Sequence, residues 1–181
     1  DWSSDVCSSD LVFDQVDWSK SKAYALGING IYLNMKDREP NGIVTPDQAQ
    51  QIKDQIVARL PTAVDPVRKQ QIVRTAYDSS KIYSGPFMAL APDVLVGYNR
   101  GFRVSDEAVL GKFPMEVIGD RTNLWSADHC FEPGLVPGVL LSNKTEWKQG
   151  NQGIWDLAPS ILASFGLDVP AEMDGKPIQK A

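Results

Sequence analysis

The sequence predicts an α/β layered fold, with strands alternating with amphipathic helices. Three observations carry this. Val94-Leu95-Val96 is a short apolar run of the kind that fills a buried strand. Tyr24, Leu26, Ile28, Ile31, Tyr32 and Leu33 supply a second group of strand formers, broken by Asn29-Gly30. Ala49, Ile52, Ile56 and Leu60 recur at helical spacing, and Leu157, Ile161 and Phe165 do so again near the end.

In chain order, residues 23–34 read as strand, turn, strand; a single bent strand fits the same residues. Residues 37–44 are charged and hold Pro40 and Gly42, so a loop is expected. Thr45-Pro46-Asp47-Gln48 opens a helix. Thr45 is a suitable cap, Pro46 suits the first helical position, and Gln48 completes a capping box. Pro61 ends that helix and Asp65-Pro66 marks a turn. Residues 71–77 read as a short strand, 79–83 as a helical turn or loop, and 101–122 as a long, partly irregular excursion. The run Val139-Leu140-Leu141 reads as a further strand. The last helix has Asp156 as its cap, Pro159 in its first turn and Gly166 as its stop. No repeat, low-complexity tract or Gly-rich phosphate loop occurs.

Residues 1–11 resemble the translation of a sequencing-adapter oligonucleotide. They are rich in Ser and Asp and have neither an apolar period nor the make-up of a signal peptide. They are read as an artefact, and residues 12–181 as the protein. Without Asp1, Asp5 and Asp10 the formal charge of −5 moves close to neutral. No strong field then supports binding to a nucleic-acid polymer or a membrane surface. Cys7 is set aside too, which leaves Cys130 with no disulfide partner. No apolar run reaches the roughly 20 residues of a membrane span. The 43% hydrophobic content is that of a globular chain with a core.

The chain has one histidine, His129, in a polar stretch ahead of Pro133-Gly134 and Pro137-Gly138. Imidazole is a common metal ligand, but zinc takes about four donors. His129 is therefore either an ordinary core or surface histidine or one ligand of a larger set. Asp128 is a second ligand, a carboxylate that orients the imidazole, or a solvated loop acid. Cys130 is read as a small half-buried residue rather than a thiolate ligand. Thr45 and Thr122 are read as a helix cap and a loop hydroxyl, so no catalytic residue is assigned. Asp174 is read as turn chemistry with Gly175. Arg38 and Glu39 are read as a solvated charged loop rather than the lining of a substrate entrance. Trp18, Tyr24 and Tyr32 are read as core rather than a base-stacking platform.

Three blocks coincide in order. The first is Val16-Asp17-Trp18-Ser19-Lys20-Ser21-Lys22-Ala23-Tyr24-Ala25-Leu26-Gly27 with Gly30-Ile31-Tyr32-Leu33-Asn34 and Arg38-Glu39-Pro40-Asn41-Gly42-Ile43-Val44. The second is the histidine segment, residues 125–143. The third is Asp156-Leu157-Ala158-Pro159-Ser160-Ile161-Leu162 with Phe165-Gly166-Leu167 and Met173-Asp174-Gly175-Lys176-Pro177. Together they resemble the C-terminal part of the alkaline phosphatase superfamily, in its type I phosphodiesterase/nucleotide pyrophosphatase branch. The resemblance implies a three-layer sandwich with a central, mostly parallel sheet. It implies two divalent metal ions, zinc in most members, and a Thr or Ser nucleophile acting on a small phosphate ester or nucleotide. His129 matches the family's late metal-ligating histidine.

The nucleophile and the other ligands have no counterpart here. The expectation is that they lie upstream, in a missing N-terminal part of the same domain. This chain would then be the C-terminal fragment of a metal-dependent phosphodiesterase, inactive alone. A phosphomutase or sulfatase of the same superfamily, or a non-catalytic interaction module, is the alternative. The family's habit favours an extracytoplasmic location.

Overall fold

The computed structural model describes residues 16–109, 116–122, 124, 130–143, 147, 150 and 152–178. The chain divides into two compact units, Asp1–Val136 and Pro137–Ala181. Each is described by itself.

In the first unit, β1 (Ala23–Leu26), β2 (Gly30–Leu33), β3 (Val73–Asp78) and β4 (Val94–Tyr98) form one sheet in the order β1-β2-β4-β3. Every strand pair in it is antiparallel. The chain is thus mixed α/β, but these strands do not build the mostly parallel three-layer sheet expected. The reason is in the connections. β1 returns to β2 through three residues, and β3 returns to β4 through a loop with only short 3-10 turns, Ser79–Lys81 and Met88–Leu90. A parallel pair needs a crossover, usually helical.

The hairpin is present, and its turn is shifted from the Asn29-Gly30 pair. Gly27 takes the left-handed conformation, φ 78°. Gly30 instead opens β2 opposite Leu26, where a Cβ would lie 3.0 Å from Pro92 Cγ.

Asn34 follows β2 and is fully buried. Its Nδ2 lies within hydrogen-bonding distance of the carbonyls of Trp18, Ser21 and Asn41, at 3.1, 2.9 and 3.1 Å. It thereby holds the lead-in to β1 and the 35–44 loop on one side chain. That loop is tight. A Cβ on Gly42 would sit 1.8 Å from the Met35 carbonyl oxygen.

Helix α1 (Pro46–Arg59) begins as its sequence predicts: the Thr45 N–H donates to Gln48 Oε1 at 3.2 Å. It packs against β3 and β4. Strand alternation sorts the sheet's two faces. Ala76, Asp78, Val94 and Val96 are buried on the side where Lys53 of α1 meets Asp78. Tyr77 and Gly97 belong to the other side. Asp65 organises the expected turn, accepting from the Val67 and Arg68 N–H groups at 2.7 and 3.0 Å. Within 101–122 the regular element among the described residues is one helical turn, α2 (Asp106–Val109).

In the second unit a 3-10 turn, Ile154–Asp156, runs into α3 (Leu157–Ser164). Gly166 stops it at φ 70°, and the Leu167 N–H donates back to the Leu162 carbonyl at 3.0 Å. Three expectations are corrected here. The Asp156 side chain does not cap α3. It accepts from Gly153 N and Lys176 N instead, both at 2.9 Å. Residues 139–141 form no strand, and Val139 and Leu141 are 85% and 89% exposed. The reason is that a strand needs a ladder partner, and none is present among the described residues. Finally, the buried face of α3 is Pro159 and Ser160, while Ile161 and Phe165 are 54% and 78% exposed. Among the described residues no helix is long and apolar enough to cross a membrane.

Candidate functional site

His129 and Asp128 lie outside the described residues, as does most of the segment ahead of them. What is described is the segment's exit, from Cys130 onward. Cys130 is half-buried and in no disulfide. Two residues later, Glu132 is 6% exposed. A buried carboxylate is costly unless its oxygens are bonded. Here Oε1 accepts from Tyr77 Oη at 2.7 Å and Oε2 from Gly134 N at 2.5 Å. The second bond closes the 3-10 turn Pro133–Leu135. Arg74 Nε is 4.0 Å from Oε2.

Gly97 makes room for this contact. A Cβ there would fall 2.8 Å from Glu132 Cγ and 3.0 Å from Thr75 Cγ2. The exit of the histidine segment is therefore seated on β3 and β4, on the side opposite α1. The hydrogen bond to Glu132, then burial, raises the Tyr77 phenol above its ordinary value.

Sequence reasoning missed Glu132. A glutamate ahead of Pro-Gly has the look of a solvated turn. The one available signal was Gly97 inside a strand run, which marks a close approach.

Arg38 is exposed and Glu39 half-buried on the expected loop, and both side chains are tied to the sheet. Glu39 accepts from Tyr24 Oη at 3.0 Å and from Arg38 Nε at 2.9 Å, while Arg38 Nη2 reaches Asp93 Oδ2 at 2.8 Å. Both neighbours are thereby committed to holding β1, β2 and the start of β4 together. Tyr24 stacks on Tyr32 with centroids 5.6 Å apart and meets Trp18 edge-on at 5.5 Å, which agrees with a packing role. Thr45 stands at the helix cap and Thr122 is exposed. Asp174 is exposed, while Gly175 beside it is buried.

Among the described residues no group of three or more His, Cys, Asp or Glu side chains is placed to hold a metal ion. The buried carboxylates are already spent on protein donors: Asp65 on Arg68, Asp78 on Lys53 and Glu132 on Tyr77. The described donor set does not fit a two-metal centre.

No family model matches the chain, and no solved structure matches it. Over 49 residues it is 47% identical to a 2,3-bisphosphoglycerate-independent phosphoglycerate mutase from Clostridium acetobutylicum. The matched stretch is 26% of this chain and spans 9% of that relative's length.

Proposed function

We propose that this chain is the C-terminal part of a phosphoryl-transfer enzyme of the alkaline phosphatase superfamily. One observation carries the reading: 47% identity over 49 residues to a phosphoglycerate mutase, itself a member of that superfamily. It favours a phosphomutase over the nucleotide pyrophosphatase-like phosphodiesterase that the motifs first evoke. In either case the substrate is a small phosphate ester. The proposal gives His129 the role of a metal ligand, zinc being the metal, with its partner ligands and the nucleophile supplied upstream.

The test joins the chain to the coding sequence that precedes it in its gene. The product is assayed for interconversion of phosphoglycerates and, in parallel, for hydrolysis of a chromogenic phosphodiester, with zinc or manganese added. Mutase turnover that collapses in His129→Ala is expected. Diester hydrolysis alone would restore the phosphodiesterase reading. Full activity of either kind in His129→Ala would remove His129 from the site.

A further inference from the structure

The 35–44 loop holds one peptide unit at both of its polar atoms. That unit joins Asn41 to Gly42. The Gly42 N–H donates to the Glu39 carbonyl at 3.1 Å, and the Asn41 carbonyl accepts from the buried Asn34 Nδ2 at 3.1 Å. The Asn41 side chain stands exposed beside it. An asparagine followed by glycine carries its own electrophile and nucleophile, because no side chain on the glycine shields its nitrogen from the neighbouring amide carbon. The loop requires that glycine, since the Met35 carbonyl oxygen fills the place of a Cβ.

We propose that Asn41 is a self-modification site, deamidated by attack of its own backbone, and that the closed loop is the gate. In the step, Gly42 N gives its proton to solvent base and bonds to Asn41 Cγ. The Cγ–Nδ2 bond breaks, and that nitrogen takes a proton from solvent and leaves as ammonia. The five-membered imide so formed contains Gly42 N and the Asn41 backbone carbonyl. Water opens it at Cγ to give aspartate, or at the backbone carbonyl carbon to give isoaspartate. The net change consumes water and releases ammonia.

Closed, the loop opposes each part of this. The N–H that must be lost is the one given to Glu39, and the carbonyl that enters the ring is the one held by Asn34. A unit pinned at both atoms cannot turn toward Cγ, and loop opening frees both. The change runs one way. Isoaspartate lengthens the backbone between the Asn41 Cα and Gly42 N, which takes an acceptor away from the buried Asn34 amide. The chain also holds an internal comparison, Asn29-Gly30. There Gly30 lies in β2 between β1 and β4, opposite Leu26 and Leu95, and the Asn29 carbonyl accepts from Val96 N at 2.9 Å. Attack at Asn29 needs the sheet to open, and openings of core strands cost more than openings of loops.

The test incubates the intact chain in mildly alkaline buffer, with and without denaturing urea. The mass gain of Asn to Asp is followed in the tryptic peptides 39–53 and 23–36, and fragmentation places it on Asn41 or Asn29. Conversion at Asn41 is expected to be about tenfold or more faster in urea than in buffer. The same ratio is expected to be larger at Asn29. Asn34→Ala is expected to speed Asn41 in buffer and leave its rate in urea unchanged. Where Asn34→Ala does not fold, the two wild-type ratios decide alone. A ratio near unity at Asn41, a ratio there larger than at Asn29, or a wild-type rate in folded Asn34→Ala would overturn the gate. Absence of conversion at Asn41 in urea would overturn the site itself.

Discussion

Arg38 and Asp93 meet across 55 residues of chain, Nη2 to Oδ2 at 2.8 Å and Nη1 to Oδ1 at 3.4 Å. They close over the backbone of Leu33. Its N–H donates to Asp93 Oδ2 and its carbonyl accepts from Arg38 Nη2, both at 2.7 Å. The end of β2 and the approach to β4 are thus locked by one two-pronged pair, with Glu39 and Tyr24 attached to its outer side. Burial works against the Arg38 charge, but Asp93 and Glu39 outweigh it and raise its pKa further above the ordinary arginine value.

Arg38→Ala is expected to cost about 2 kcal/mol, the scale for hydrogen bonds to a charged group. Arg38→Lys should recover only part of that, since an ammonium cannot make the fork. The urea midpoint measures both. A loss within experimental error for Arg38→Ala would show that the fork to Asp93 adds nothing to stability.

The second prediction concerns acid. Burial pushes the Asp78 carboxyl up, but the Lys53 ammonium at 2.9 Å, the Gln50 amide and Ser80 outweigh it and hold it well below the usual carboxylate range. A depressed folded-state pKa contributes stability above the unfolded value of about 3.9. That stability declines as pH falls below the unfolded value toward the folded one. The wild type should therefore lose stability on acidification below about pH 4, and Asp78→Asn should show a flatter acid limb. At neutral pH Asp78→Asn should be less stable by about 3 kcal/mol, because Lys53 loses its charged partner in a largely buried place. Denaturation midpoints across the acid range test the slope and the offset together.

How much of this was legible follows from where each signal lies along the chain. The start of α1 was readable because Thr45, Pro46 and Gln48 state it within four residues. The β1–β2 hairpin was readable in kind, while its turn falls on residues 27–29 and Gly30 stands inside β2, where Pro92, 62 positions away, closes over it. Glu132, Arg38 and Glu39 were misjudged or missed for one physical reason. Each looks unpartnered among its sequence neighbours, and its partner, Tyr77, Asp93 or Tyr24, lies far along the chain. The parallel sheet was an inference from resemblance, and no local pattern of residues 16–109 carried it. The apolar period of α3 was real, but periodicity cannot say whether the face finds a partner.

A third prediction is alkaline. Burial, then the hydrogen bond to Glu39, pushes the Tyr24 phenol up to about 12. Its neutral form is the one favoured in the fold. The contribution is complete below the unfolded value of about 10 and is lost as pH rises from there through the folded value. Spectrophotometric titration should show a phenol ionising later than the rest, and Tyr24→Phe should delete that late component. Glu39→Gln should shift it downward, since the carboxylate charge is among its causes. A late phenol that survives in Tyr24→Phe would assign it elsewhere.

The last prediction separates two neighbours in the second unit. Gly175 is buried with its back to the chain: a Cβ there would lie 2.0 Å from the Trp155 carbonyl oxygen and 2.5 Å from its carbon. Both are backbone atoms at the entry to α3, so they cannot swing aside as a side-chain tip would. The close approach lets Lys176 N reach Asp156 Oδ1 at 2.9 Å and Ile178 N reach Ser160 Oγ at 2.8 Å. Lys176 N, and after it Gly153 N, hold the Asp156 carboxyl below its usual range. Gly175→Ala should cost about 1–3 kcal/mol, the scale of overpacking. Amide exchange at Lys176 and Ile178 should quicken while exchange in β4 is unchanged. Asp174→Ala, at an exposed position, should stay within about 0.5 kcal/mol. Equal effects from the two substitutions would mean that the turn chemistry of the Asp-Gly pair, not the approach to Trp155, is what the glycine provides.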